Sequence, residues 1–162
     1  MADLRKCLQT LKFTDVATYI ASGNVIVRSD KHANEIKAQI EEALPRSFRL
    51  DDELIKVLVL SRDQLNSVIS NRPDGFGESP DKYHSDSVFL MDIAPEEALA
   101  VFAPREGVDR IWAGDGVIYS QRLSARRTES RLSKIVGTPA YRSMTIRNWS
   151  TTTKLLELLD ET

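Results

Sequence analysis

The stretch TYIASGNVIV, residues 18–27, sets Ser22-Gly23-Asn24 between two apolar runs rich in β-branched residues. Upstream, Val16, Thr18 and Ile20 alternate with Ala17, Tyr19 and Ala21, the two-residue period of a strand. Residues 24–29 (NVIVRS) are its partner, and Gly23 supplies the positive φ that a tight connection needs. The hairpin accounts for the Gly. Ser22 and Asn24 are ordinary turn residues too, yet a turn does not require this particular pair, so both are kept as candidate ligand-binding residues.

Working outward, Leu4, Cys7, Leu8 and Leu11 recur at helical spacing, so residues 2–12 form a helix packed by one face. Ile36, Ile40 and Leu44 mark a second helix over 31–47, which Pro45 ends or kinks. ELIKVLVLS (53–61) reads as a strand, and Ser61 with Gln64 opens a short helix through about Asn71. RPDGFGESPDKYH (72–84) is rich in Gly, Pro and charge and reads as a linker. SVFLM (87–91) is a strand and Pro95 opens a helix over 95–103. VDRIWAGDGVIYS (108–120) is a hairpin turning at Asp115-Gly116. Leu132, Ile135 and Val136 mark a helix that ends near Gly137; Met144 and Ile146 lie on a last strand, and Leu155, Leu156 and Leu159 on a closing helix.

Residues 85–147 thus read βαββαβ, and 2–60 read αββαβ, the same order short of its first strand. The expected architecture is α+β: two copies of a split βαβ unit, each an antiparallel sheet with two helices on one face. The first repeat with a bridging helix spans 1–71, the linker 72–84, and the second repeat with the C-terminal helix 85–162. A missing strand leaves a sheet edge unpaired. Another element fills it, a second copy of the chain pairs there, or Met1 is an internal methionine of a longer frame; the last is the favoured expectation.

Certain residues carry a resemblance. Asp3-Leu4-Arg5, Thr18-Tyr19-Ile20 with Ser22-Gly23-Asn24-Val25, and Thr145 with Arg147-Asn148-Trp149 and Lys154-Leu155 are similar to the bacterial domain-of-unknown-function 1697 family. The similarity runs along essentially the whole chain. It implies a ferredoxin-like duplicated fold, and it brings no activity, substrate or catalytic residue. Members of that family carry an extra N-terminal strand and a Gly/Asn-rich loop ahead of the segment that starts here, and Ser150 stands where they have Asn.

Composition bounds the function. The chain has 162 residues, 41% hydrophobic and 28% charged, as in a soluble globular protein that folds without a disulfide or metal. No apolar run approaches the ~18 residues of a membrane span. The single cysteine, Cys7, lies on the apolar face of the first helix and reads as a buried inert thiol, and the expected compartment is the cytoplasm. The net charge of −2 argues against generic nucleic-acid binding, but residues 122–147 carry +6 against −8 elsewhere. GFGES (75–79) is no dinucleotide loop, and no zinc spacing is present; no cofactor and no metal are expected. His84 near Asp86 could form an acid–base pair, with a solvated loop histidine as the preferred reading.

The richest polar stretch is TIRNWSTTTKL, 145–155. Thr145 and Arg147 share one strand face, and Asn148 or Ser150 caps the last helix. A helix N-terminus, a fixed cation and the Thr151 and Thr152 hydroxyls together suit an anion. The expected function is a non-catalytic binding module for a small anionic or phosphate-bearing ligand, using Arg147, Asn148, Thr151 and Thr152, with Ser22 and Asn24 as a second wall. The alternatives are a nucleic-acid-binding protein using the 122–147 basic segment and an enzyme acting on a phosphorylated metabolite. Trp112, Tyr119 and Trp149 read as core packing rather than base-stacking platforms.

Overall fold

The computed structural model describes residues 1–50 and 55–162. It is a mixed α+β protein with two small antiparallel sheets, and the chain divides into two compact units. The first holds 1–62 and 157–162; the second holds 63–156.

The first unit begins with α1 (Ala2–Thr10), β1 (Thr14–Tyr19), β2 (Asn24–Arg28) and α2 (Ala33–Ser47). Leu8, Phe13, Val16 and Ile36 form its buried core, with Leu4, Leu11, Val25, Val27, Ile40 and Val59 packed around them. The apolar spacing of α1 is thereby used as its periodicity demands. Cys7 is buried, its Sγ 3.3 Å from Ser47 Oγ. The β1–β2 ladder slips by one residue between Thr14 and Ala17. Asp15, at φ 51°, absorbs the extra residue as a bulge, and its carboxylate lies 3.1 Å from Arg28. α2 runs past Pro45 to Ser47, because a proline in the last turn forfeits little further helix.

One expected element is missing. Residues 55–60 form no strand, and 53–54 lie outside the described residues. The Val57 N–H donates to Glu41 Oε1 at 2.8 Å, a side-chain acceptor standing where a ladder carbonyl was expected. Apolar content alone does not make a strand when no neighbouring edge supplies the bonds.

In the second unit, α3 (Arg62–Ser70) leads into β3 (Tyr83–Leu90), α4 (Pro95–Val101), β4 (Asp109–Ala113), β5 (Val117–Leu123), β6 (Met144–Asn148) and α5 (Trp149–Glu161), with Arg62 and the end of α5 from Glu157 assigned to the first unit. The sheet order is β4-β5-β3-β6, every pair antiparallel. One face packs Val88, Leu90, Ile118 and Met144 against Ala98 and Phe102 of the α4 segment and against Leu132 and Ile135. Between β5 and β6 three short 3-10 helices, 124–129, 132–137 and 139–143, replace the single helix expected there. Pro139 holds Thr138 extended at ψ 150°, which breaks the run. The three-residue period of a 3-10 turn puts Leu132 and Ile135 on one side, both buried, and leaves Val136 56% exposed.

The opposite face of the sheet is covered as well, which the two-helices-on-one-face expectation did not include. Tyr119 donates its hydroxyl to the Val68 carbonyl of α3 at 2.6 Å. The segment read as a linker contributes Phe76, which is 0% exposed. Phe76 meets Trp112, Tyr119 and Trp149 edge-on, with centroids 6.0, 5.2 and 5.1 Å away. Gly77 is required beside it: at φ 76°, a Cβ there would stand 2.3 Å from the Trp149 ring. Phe76→Ala is therefore expected to lower stability by about 3–5 kcal/mol, read as a fall in urea midpoint at an unchanged slope; a loss under ~1 kcal/mol would show that the aromatic cluster does not hold the unit together.

Candidate functional site

The β6–α5 junction is built by the pairing of β6 with β3, which sets Arg147 opposite Ser87 and Asn148 opposite Asp86. Successive strand residues point to opposite faces, so Arg147 and Asn148 diverge. Arg147 donates from Nη1 to Thr145 Oγ1 at 3.0 Å and to the Ile146 carbonyl at 2.8 Å. Burial lowers its pKa, because a guanidinium drawn out of water loses hydration.

Asn148 is the N-cap of α5. Its Oδ1 accepts from the Thr151 N–H at 2.8 Å and from Ser150 Oγ at 2.9 Å. Thr151 is 6% exposed and Thr152 0%. The Thr152 hydroxyl donates to the Asn148 carbonyl at 3.1 Å and lies 3.2 Å from Ser87 Oγ. Of the four residues expected here, two therefore face inward, one caps, and Arg147 remains the half-buried cation.

Ser22 and Asn24 close their own turn. Asn24 Nδ2 donates to the Tyr19 carbonyl at 3.1 Å and to Ser22 Oγ at 2.9 Å, and Asn24 is buried. The strand stops at Tyr19, two residues earlier than its alternation suggests. Ile20 takes a left-handed φ of 51° and is half exposed, while Gly23 takes φ 79°. This turn belongs to the first compact unit and the Arg147 segment to the second.

A second polar region surrounds the His84–Asp86 pair. On the α4 face of the sheet, two consecutive rows are polar where the rows beyond them are apolar. Asp109, Arg122 and His84 stand in one row; Ser120, Asp86 and Asn148 stand in the next, beside Ile111. His84 is thus a strand residue, not a loop histidine, and its Nε2 lies 3.0 Å from Asp86 Oδ1. Asp109 Oδ2 accepts the Arg105 and Arg131 N–H groups, both at 2.9 Å, which pins the start of the second 3-10 helix to the loop before β4. Only the His-Asp spacing of two was visible beforehand; the row across three strands depends on register.

Burial raises the Asp86 pKa above its ordinary 3.8, against the opposing pull of His84 and Arg122. A carboxyl that holds its proton more tightly when folded stabilises the protein while protonated, and that stability is lost as pH rises through the window above 3.8. Asp86→Asn is therefore expected to raise the melting temperature at pH 7, with the gain vanishing below the ordinary aspartate range; an Asn variant less stable at neutral pH would contradict it. Asn148→Ala should cost about 1 kcal/mol through loss of the cap, measured by urea denaturation.

Among the described residues, no group of three or more His, Cys, Asp or Glu side chains is placed to hold a metal ion, and no helix is long and apolar enough to cross a membrane. No curated protein is significantly similar to the chain. One similar solved structure is that of a conserved bacterial protein, SP0830, from Streptococcus pneumoniae. It shares 23% identity at a TM-score of 0.77, over 99% of this chain and 88% of that one, which establishes a common fold. The family described as "Protein of unknown function (DUF1697)" matches residues 1–119, most of the chain and including the Ser22-Gly23-Asn24 turn. The chain belongs to that family.

Proposed function

We propose that the protein works by binding a small anionic or phosphate-bearing ligand, with Arg147 as the contact that supplies charge. The observation that carries this reading is the state of the Arg147 guanidinium: half withdrawn from water and steadied by Thr145 Oγ1 and the Ile146 carbonyl. A cation in a partly dry setting attracts an anion more strongly than one on an open surface, and a guanidinium already held in place loses less freedom on binding. Asn148 is exposed and, among the described residues, its amide NH2 donates to no protein acceptor, so it is free to donate to a ligand at the mouth of the junction. The buried Thr151 and Thr152 support the junction from within. Ser22 and Asn24 shape the hairpin tip of the first unit as a separate polar contact.

The reading is of binding rather than chemistry, since the residues beside Arg147 on its own sheet face, Ser87 across the ladder and Thr145 two along the strand, carry hydroxyls and not a general base. The nucleic-acid alternative draws less support. Tyr119 is 2% exposed and meets Phe76 edge-on, as Trp112 and Trp149 do, which leaves little aromatic face for stacked bases.

We also read both units as versions of one ferredoxin-like split βαβ plan. The second runs strand, helix, strand, strand, helical segment, strand, in the order β4-β5-β3-β6; the first keeps the helix, hairpin and helix.

A thermal-shift screen over phosphates, sugar phosphates, nucleotides and oligonucleotides tests the function, because a ligand held only by the folded state raises the melting temperature. The expected result is a rise of several degrees with a phosphate-bearing small molecule, clearly reduced in Arg147→Gln. A flat screen, or an equal response in the variant, would overturn the Arg147 site; a salt-sensitive response to oligonucleotides alone would favour the alternative.

A further inference from the structure

The first unit contains a cleft of about 360 Å³ between the end of α1 and one side of α2. Gln39, Glu42, Ala43 and Arg46 follow the i, i+3, i+4, i+7 spacing, so they line one stripe of α2 and form one wall. Thr10, Leu11 and Lys12 form the other, and Lys31 completes the lining from the segment before α2. The volume is at the lower end of the roughly 300–1,000 Å³ of small-molecule sites.

Three features of this cleft point to a ligand and to its sign. The first is charge: Lys12, Lys31 and Arg46 face one carboxylate, Glu42, which is engaged by Arg46 Nη2 at 2.6 Å. Among the described residues, no carboxylate comes within ion-pair distance of Lys12 or Lys31. Second, the C-terminal end of α1, which would repel an anion, has its last carbonyls partly satisfied. Its carbonyls at Cys7, Leu8 and Gln9 accept from Thr10 Oγ1 at 2.6 Å, the Leu11 N–H at 3.1 Å and the Lys12 N–H at 3.2 Å. Third, the Gln39 NH2 donates to no described residue and is available to an acceptor in the cleft; its Oε1, itself an acceptor and enclosed without a partner, takes no part in holding an anion. Lys12 itself sits at a left-handed φ of 65°, where a non-glycine residue is uncommon. That conformation turns the chain at the end of α1 and sets Lys12 at the cleft.

We propose that this cleft is a binding site for a small phosphate monoester or pyrophosphate, with Lys12 and Lys31 neutralising the phosphate, the Gln39 amide donating to it, and Leu11 and Ala43 taking the organic part. Arg46, paired with Glu42, closes one end and adds no net charge, so the positive field comes from Lys12 and Lys31. An ammonium side chain is a mobile point charge, so the site reads charge density rather than the flat geometry of a carboxylate. The site stands whether or not Arg147 holds an anion, since every residue of it lies in the first unit.

The test is two-dimensional amide NMR of the full chain, titrated with inorganic pyrophosphate and with ribose 5-phosphate. The expected result is that shifts within the first unit saturate and are confined to Thr10–Lys12, Lys31 and Gln39–Arg46. Affinity should fall about tenfold or more in Lys12→Gln/Lys31→Gln, the loss of a charge-assisted bond, and should be unchanged in Lys134→Gln, which removes an exposed lysine of the second unit. Arg147→Gln should leave these shifts intact, which separates this site from the one proposed above. Shifts spread over all basic residues, no saturation, or equal affinity in the double variant would each overturn the proposal. Because both lysines are exposed, the double variant is expected to fold, and its unperturbed amide spectrum verifies that in the same experiment.

Discussion

Phe76 has no polar atom, sits in a Gly- and Pro-rich stretch, and is completely buried. Three aromatic rings meet it edge-on: Trp112 from β4, Tyr119 from β5 and Trp149 from the first turn of α5. The electropositive edge of one ring against the electron-rich face of another is the preferred geometry of such contacts, and each is worth about 0.5–1.5 kcal/mol beyond the area it buries. Much else in the second unit follows from this cluster. It covers the sheet face that the 3-10 segment and α4 leave open. It also seats Trp149, so that Asn148 can cap α5 and Arg147 is drawn halfway out of water.

The elements that were legible in the sequence are those whose signal is local. The β1–β2 hairpin followed from alternation and Gly23; α1 and α2 followed from apolar spacing; β4 and β5 followed from Asp115-Gly116 between two strand patterns. What escaped depends on partners far along the chain. IKVLVL carries a strand composition, yet a strand exists only where a neighbour offers its backbone, and the Val57 N–H binds the Glu41 side chain instead. Leu132 and Ile135 are three apart, a spacing that serves an α-helix or a 3-10 turn equally well, and only the exposure of Val136 tells them apart.

The candidate site divides along the same line. The Asn148 cap was visible, since Asn before a helical pattern is the commonest signal of a helix start. The burial of Thr152 was not, because Ser87, its hydroxyl partner, lies 65 residues away. The polar rows around Asp86 need the register of three strands before Asp109, Arg122 and His84 become neighbours. The basic cleft needs the packing of α1 on α2. Lys12, Lys31 and Arg46 are each unremarkable as surface residues in a sequence, and only their convergence carries meaning.

The aromatic cluster also decides what light can report about this molecule. The chain has two tryptophans, and both indoles abut the same phenyl ring in the second unit. Tryptophan emission, excited selectively, is therefore a local gauge: it registers the loosening of one neighbourhood and is silent on the hairpin and helices of the first unit. A fluorescence transition and a far-ultraviolet dichroism transition need not coincide here. Any gap between them would measure how independently the first unit comes apart.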